Sequence, residues 1–336
     1  MHGVCQACRR EVSTRANGKR EGMKRSVLGM LSVAAGVSIF SVQDVIVKGL
    51  SATFPVHEIV VLRSVVALPV LLVVTLQDGT GRVVPARLGL HAARGLSLFV
   101  AYFSYYLAMA AMPIADVVAI CFAAPLIIAA LSGPVLGERV KPQSWAAIAI
   151  GFAAVLMIVR PDAATSDPAA LFAVLSALAY GISAVLARRL GRVASGSAMA
   201  LSATVVYIFA GGVTALLLAG IAPSSGAHPS IRFLLGPWIW PSAGEVGLLM
   251  ACGLIAAFGF FLLSQGYRLA EASRAAVFEY VALPWGVLWG FLVFNTPPDL
   301  LTLAGAAVLI ATGIYTLRQG QAVESSLATA TAPRRA

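Results

Sequence analysis

Runs of roughly 20 apolar residues alternate with short polar breaks along most of the chain. Ten such runs cover 27–47, 57–77, 93–112, 114–135, 143–160, 168–187, 198–219, 245–267, 273–294 and 300–318. A helix that crosses the hydrocarbon core needs about 20 predominantly apolar residues. The pattern therefore predicts an all-α integral membrane protein with ten transmembrane helices. Most connections are short. The exception, 220–244, reads "IAPSSGAHPSIRFLLGPWIWPSAGE", and its Trp238 and Trp240 suit the membrane–water interface. Basic residues precede the first run, as in a signal peptide. That run is too long for a signal core and has no convincing cleavage site, so it reads as a retained helix.

Composition strengthens this picture. Only 11% of residues are charged, 59% are hydrophobic and the mean hydropathy is +0.88, whereas a soluble domain carries about 25% charge. The net charge of +10 would suit nucleic acid only if it formed a basic patch on a soluble face. Here it reports topology instead. With the N-terminus inside, all of the 24 Lys and Arg residues except Lys48, Arg63, Arg160 and Arg232 fall on the cytoplasmic side. An even number of spans then makes both termini cytoplasmic, with 1–26 as an N-terminal segment and 319–336 as a disordered tail. Met23-Lys24-Arg25 offers an alternative start directly before the first span. The four cysteines give no disulfide framework. Cys5-Gln-Ala-Cys8, with His2 nearby, has the spacing of half a zinc or redox site, but no second pair follows. No metal and no cofactor are expected.

The runs also recur. An offset of 159 pairs Phe99 with Phe258, Ala111 with Ala270, Val118 with Val277, Ala123 with Ala282, Pro125 with Pro284 and Ala147 with Ala306. An offset of 140 pairs Phe40 with Tyr180, Val45 with Val185, Lys48 with Arg188 and Leu50 with Leu190. The chain thus divides into five-helix repeats, 27–161 and 166–318. An odd number of spans turns the second repeat upside down, an arrangement typical of secondary transporters with a site near the midplane. Pro125 and Pro284 fall inside spans four and nine as helix kinks. A purely structural bend and a freed carbonyl at a binding site both fit them.

Several stretches resemble the drug/metabolite transporter superfamily, specifically its EamA-like branch. "GPVLGERVKPQSWAAIAIGFAAVLMIVRP" (133–161) resembles that family's end of helix four, Gly-Glu turn and helix five. "FSVQDVIVKGL" (40–50), Pro55 and "EIVVLRSVVALPVLLV" (58–73) resemble its first helical pair, including the Arg of helix two. Thr296-Pro297 stands where some members repeat the Gly137-Glu138 turn, so a symmetric turn is not expected there. The resemblance implies a secondary transporter of a small organic metabolite, in the inner membrane of a bacterial-type cell. The opening motif is most similar to members that import S-adenosylmethionine or riboflavin. Export of amino acids or drugs is the alternative, and a non-transporting membrane scaffold a remote one. The partners implied are the small-molecule substrate and the lipid bilayer, without nucleic acid; a homodimer is left open.

Polar residues inside the spans are the candidates for a site, because they are costly there. Asp44 lies roughly 6 Å below Lys48 on span one, and Arg63 roughly 7.5 Å below Glu58 on span two. The two reach similar depth, so they are expected to pair or to face the outer part of a common cavity. Lys48 reads as a span-end anchor that favours the helix dipole and snorkels. Glu279, followed by Tyr280, lies well inside span nine; a transport role and a hydrogen bond to Gln265 both suit it. Asp116 opens span four, as a dipole partner or a substrate contact. On span three, Phe99, Tyr102, Tyr106 and Met109 share a stripe that suits either packing or a wall for flat cargo. Trp285 and Trp289 make the same case on span nine. The cavity is expected between spans one to four and six to nine, with five and ten at the periphery.

An enzyme is not expected. The histidines (His2, His57, His91, His228) stand at or outside span ends, and no HExxH or GxSxG occurs. No GxxxxGK[ST] loop supports direct use of nucleotide energy.

Overall fold

The computed structural model describes residues 2–78, 87–136, 142–159, 167–270, 275, 278–312 and 314–315. For residues 2–24 it describes the backbone alone, so His2, Cys5 and Cys8 as side chains, the Gly137-Glu138 turn and the 319–336 tail lie outside it. All regular structure among the described residues is helical.

The helices are α1 (His2–Leu50), α2 (Val56–Gln77), α3 (Leu88–Ala111), α4 (Ile114–Cys121), α5 (Ala124–Leu136), α6 (Pro142–Val159), α7 (Ala170–Leu190), α8 (Gly196–Leu218), α9 (Pro229–Leu235) and α10 (Ala243–Leu269). A 3-10 turn (Phe278–Val281) then leads into α11 (Ala282–Phe294), and α12 is Leu300–Thr312. Five are long and apolar enough to cross a bilayer: the Arg25–Leu50 part of α1, and α2, α7, α8 and α10. Span four is not one kinked helix. The chain turns at Phe122 and Ala123, so α4 ends and α5 begins immediately before Pro125. Span nine likewise is broken: its 3-10 turn precedes α11, and Pro284 stands in the first turn of that helix. A proline in an opening turn lacks only an N–H that would have no helical partner, so it starts a helix more readily than it bends one. The 220–244 segment is not merely a loop. Its α9 packs on α3, where Ser230 Oγ donates to the Leu107 carbonyl at 2.7 Å and Phe233 is buried. Trp240 remains 85% exposed.

α1 packs along α10, α3 along α7, and α2 against both α8 and α10. Without water to drive helices together, close packing of small residues holds such interfaces. A Cβ on Gly95 of α3 would come within 2.8 Å of Val206 of α8, and a Cβ on Gly253 of α10 would press as hard on Val66 of α2. Two further features recur. The turns Ser51–Phe54 and Gly191–Ala194 have the same form, followed by an extended residue, Pro55 (φ −73°, ψ 152°) or Ser195 (φ −75°, ψ 161°), at the next helix start. α3 and α10 both end on an extended residue, Met112 (φ −108°, ψ 157°) and Ala270 (φ −109°, ψ 160°). Gly95 with Gly253, and Met112 with Ala270, put these helices one residue out of the register suggested by Phe99 with Phe258.

Lys48 does not snorkel as expected. Its Nζ donates to the carbonyls of Met109 (2.6 Å) and Met112 (2.7 Å), and it stands 5.5 Å from the Phe294 ring centre. The lysine therefore caps the carbonyl end of α3, where a cation also meets the negative pole of the helix. Arg188 does the same for α10: its Nη1 donates to the Ala270 carbonyl at 3.0 Å. Arg94, counted above among cytoplasmic charges, is instead 5% exposed within α3 and donates to the Met199 carbonyl (2.9 Å) and Ser264 Oγ (3.1 Å).

Candidate functional site

A cavity with an empty volume of about 840 Å³, its mouth included, opens between the helices. Its wall comes from α1 (Val37 to Asp44), α3 (Ala101, Tyr102, Tyr105), α4 and the break after it (Ile114 to Phe122), α7 (Ser176, Ala177, Tyr180), Leu263 of α10, Glu279 in the 3-10 turn, and Gly286 and Trp289 of α11. α2 and α8 contribute nothing to this wall, although spans two and seven were expected there. Arg63 of α2 instead packs 5.4 Å from the ring centre of Tyr207 of α8.

Two carboxylates face the cavity from opposite parts of the chain. Tyr105 Oη donates to Asp44 Oδ2 at 2.9 Å. Glu279 Oε1 accepts from Tyr180 Oη at 2.7 Å and also from Tyr267 Oη. The expected link from Glu279 to Gln265 is absent; Gln265 Oε1 instead accepts from Arg268 Nη1 at 3.1 Å. The helix break before α11 is what puts Glu279 on a turn rather than in a continuous apolar helix. Among the described residues, no Lys, Arg or His lines the cavity.

Asp44 and Arg63 do not form the expected ion pair. Arg63 is 0% exposed, and its Nη1 donates to Tyr106 Oη at 3.0 Å. With its amide oriented to satisfy its neighbours, Gln43 Oε1 accepts from Tyr106 Oη (2.5 Å) and Arg63 Nη1 (2.6 Å), and its Nε2 donates to the Cys252 carbonyl (2.9 Å). The guanidinium lies 5.2–5.9 Å from the ring centres of Tyr102, Tyr106, Tyr207 and Phe260. The reason for the separation is helical rotation. Tyr105 and Tyr106 are adjacent on α3, so their side chains diverge by about 100°. One hydroxyl meets the acid at the cavity wall and the other meets the arginine behind it.

The remaining candidates divide in the same way. Tyr102 lines the cavity and also touches Arg63. Phe99, Tyr106 and Met109 are buried in packing. Asp116 stands in the first turn of α4 and is not part of the cavity wall. Tyr280 turns away, with Oη donating to the Leu309 carbonyl at 3.2 Å and its ring set edge-on to Phe122. Trp285 and Trp289 stack at 5.9 Å, and their Nε1 atoms donate to Ser38 Oγ (3.0 Å) and Ser41 Oγ (3.1 Å) of α1. Trp289, not Trp285, reaches the cavity. The sequence reading passed over Tyr105 and Tyr180. For Tyr180 a signal existed: it is the repeat partner of Phe40, and both line the cavity.

These observations meet the comparison with known proteins. The S-adenosylmethionine uptake transporter of Rickettsia prowazekii is 24% identical over 275 residues, covering 82% of this chain and 87% of that protein. The riboflavin transporter of Rhizobium johnstonii is 29% identical over 227 residues, 68% of this chain and 67% of its own. The pseudopaline exporter CntI of Pseudomonas aeruginosa is 28% identical over 286 residues, 84% and 93% respectively. A solved crystal structure of a protein 17% identical in sequence superposes with a TM-score of 0.60, covering 90% of this chain and 99% of that one, which bears on the fold alone. The EamA-like transporter family matches residues 27–160 and again 167–318, and the chain belongs to that family.

Proposed function

We propose that this protein is a secondary carrier that moves a small organic metabolite by alternating access, with ten spans arranged as two inverted five-helix halves. One observation carries the reading: a single cavity takes one carboxylate, Asp44, from the first family-matched segment and the other, Glu279, from the second. A site shared between two halves can be opened to either side by rocking one half against the other. The recurrent turns at 51–54 and 191–194 support the repeat. So do the reciprocal contacts of Gly95 with Val206 and of Gly253 with Val66. Charge placement supports cytoplasmic termini in an inner membrane.

Among cargo classes, S-adenosylmethionine- or riboflavin-type uptake is favoured by the names of the relatives, while the pseudopaline exporter keeps outward transport as the second reading. Asp44 and Glu279 are the groups suited to couple transport to protons. The test is counterflow in proteoliposomes, beside metabolite profiling of cells with and without the gene. Saturable exchange of one accumulated or depleted compound is expected. Its absence across a broad metabolite panel would overturn the carrier reading.

A further inference from the structure

We infer that the cavity selects cargo that carries a positive charge beside a flat ring: an organic onium, sulfonium or N-alkylated heteroaromatic, rather than a neutral or anionic ring compound. The inference rests on the carrier reading above and narrows it to a chemical class.

The charge argument comes first. The cavity presents two carboxylates, and no cationic side chain among the described residues faces them. Arg63 is close by but wholly enclosed, with its charge turned toward Tyr106, Gln43 and four ring faces. Only one oxygen of each carboxylate has a protein donor among the described residues: Oδ2 of Asp44 and Oε1 of Glu279. The second oxygens, Oδ1 and Oε2, are not among the buried polar atoms without a partner. Both side chains are partly exposed in a chain whose exposed interior here is the cavity. Each carboxylate thus keeps an acceptor open to whatever enters. An anion would meet like charge at short range, and a neutral ring would cover both acids without supplying a donor. Leaving such groups unpaired in a dry site is costly.

The wall argument is independent of charge. Phe40, Tyr102, Tyr105, Phe122, Tyr180 and Trp289 all line the cavity. Ring faces attract an organic cation through their quadrupole, and best where water is excluded. They also accept a planar group by stacking. The hydrogen bonds that hold these rings serve the same end. Tyr105 and Tyr180 are fixed by the two acids, and Trp289 is fixed by Ser41 Oγ. Rings already held in place lose little freedom when cargo arrives.

The experiment uses matched pairs that differ in charge but little in shape, in proteoliposomes containing the full chain. S-adenosylmethionine is compared with S-adenosylhomocysteine, and 1-methylnicotinamide with nicotinamide, each as substrate and as competitor, with riboflavin as a large neutral ring. The charged member of each pair is expected to be preferred about tenfold or more. Asp44→Asn and Glu279→Gln keep an oxygen for the tyrosine hydroxyls. Each is expected to cut that preference severalfold, read as the ratio of the charged to the neutral member in competition for the site. Saturable transport in which neutral members equal or exceed the charged ones would overturn the inference and leave the carrier reading standing. Absence of saturable flux for every probe and for the wider metabolite panel would overturn both. The pair comparison is made on the unmodified protein, so variants that fail to fold do not remove the test.

Discussion

Arg63 has the highest stakes of any single residue. Its guanidinium is fully buried and held by Tyr106, Gln43 and four ring faces, and its Nε and Nη2 have no hydrogen-bond partner among the described residues. A lysine there keeps the charge but loses the planar fork and the stacking surface. Arg63→Lys is expected to destabilise the protein by about 2 kcal/mol, read as a lower melting temperature in detergent. Tyr106→Phe should cost about as much, because it strips the hydroxyl shared by Arg63 and Gln43. An unchanged melting temperature in both variants would mean that the ring cage alone holds the arginine. Residue-level legibility follows the same physics. Asp44, Arg63 and Glu279 stand out in the sequence because charge is rare in an apolar run. Their partners do not. Tyr105 and Tyr106 are the same residue type side by side, and only the rotation of α3 within the bundle decides which meets Asp44 and which meets Arg63. That rotation is set by contacts remote in sequence, such as Tyr207 Oη donating to the Leu98 carbonyl at 2.7 Å.

Helices interlock here through glycine at several crossings, and two glycines of α10 make a sharp comparison. Gly253 faces Val66 with no room for a side chain, whereas a Cβ at Gly244, in the first turn of the same helix, meets nothing within 4 Å. Gly253→Leu is expected to cost about 3 kcal/mol by overpacking. Gly244→Leu should stay within about 0.5 kcal/mol. Comparable losses at both sites, in the same melting assay, would point to glycine's backbone freedom rather than to the crossing. At this scale the apolar pattern was a good guide to where helices lie among the described residues but a poor guide to their continuity. The break at Phe122–Ala123 lies in a stretch as apolar as the helices around it, and Phe278–Val281 adds only one charge, so a count of apolar residues runs straight through. Pro125 and Pro284 marked the right places. What they could not reveal is that the preceding residues leave the helix altogether, which brings Glu279 onto a turn at the cavity wall.

Across the whole molecule, one cation ties together three of the helices that line the cavity. Lys48 of α1 binds the carbonyl end of α3 and lies over Phe294 of α11, and all three helices line the cavity. Arg188 of α7 binds the carbonyl end of α10, and in the proposed inverted arrangement it would do so at the opposite face. Rocking between outward-open and inward-open forms would then strain one cap at a time. Cys121 reports which end opens, because it lines the cavity and is partly exposed, whereas Cys252 is 0% exposed. With Cys5 and Cys8 replaced by serine, a membrane-impermeant maleimide can be applied from either side of oriented vesicles. Lys48→Met removes both donors to Met109 and Met112, and it is expected to speed labelling of Cys121 severalfold from the outer side only. Arg188→Met is expected to do so from the cytoplasmic side only. Equal acceleration from both sides by either variant would show general loosening of the bundle, and no acceleration would show that the caps finish helices without holding the cavity shut. Opposite-sided responses from two residues 140 apart, each capping the third span of one proposed half, are what an inverted carrier requires and what a rigid scaffold has no means to produce.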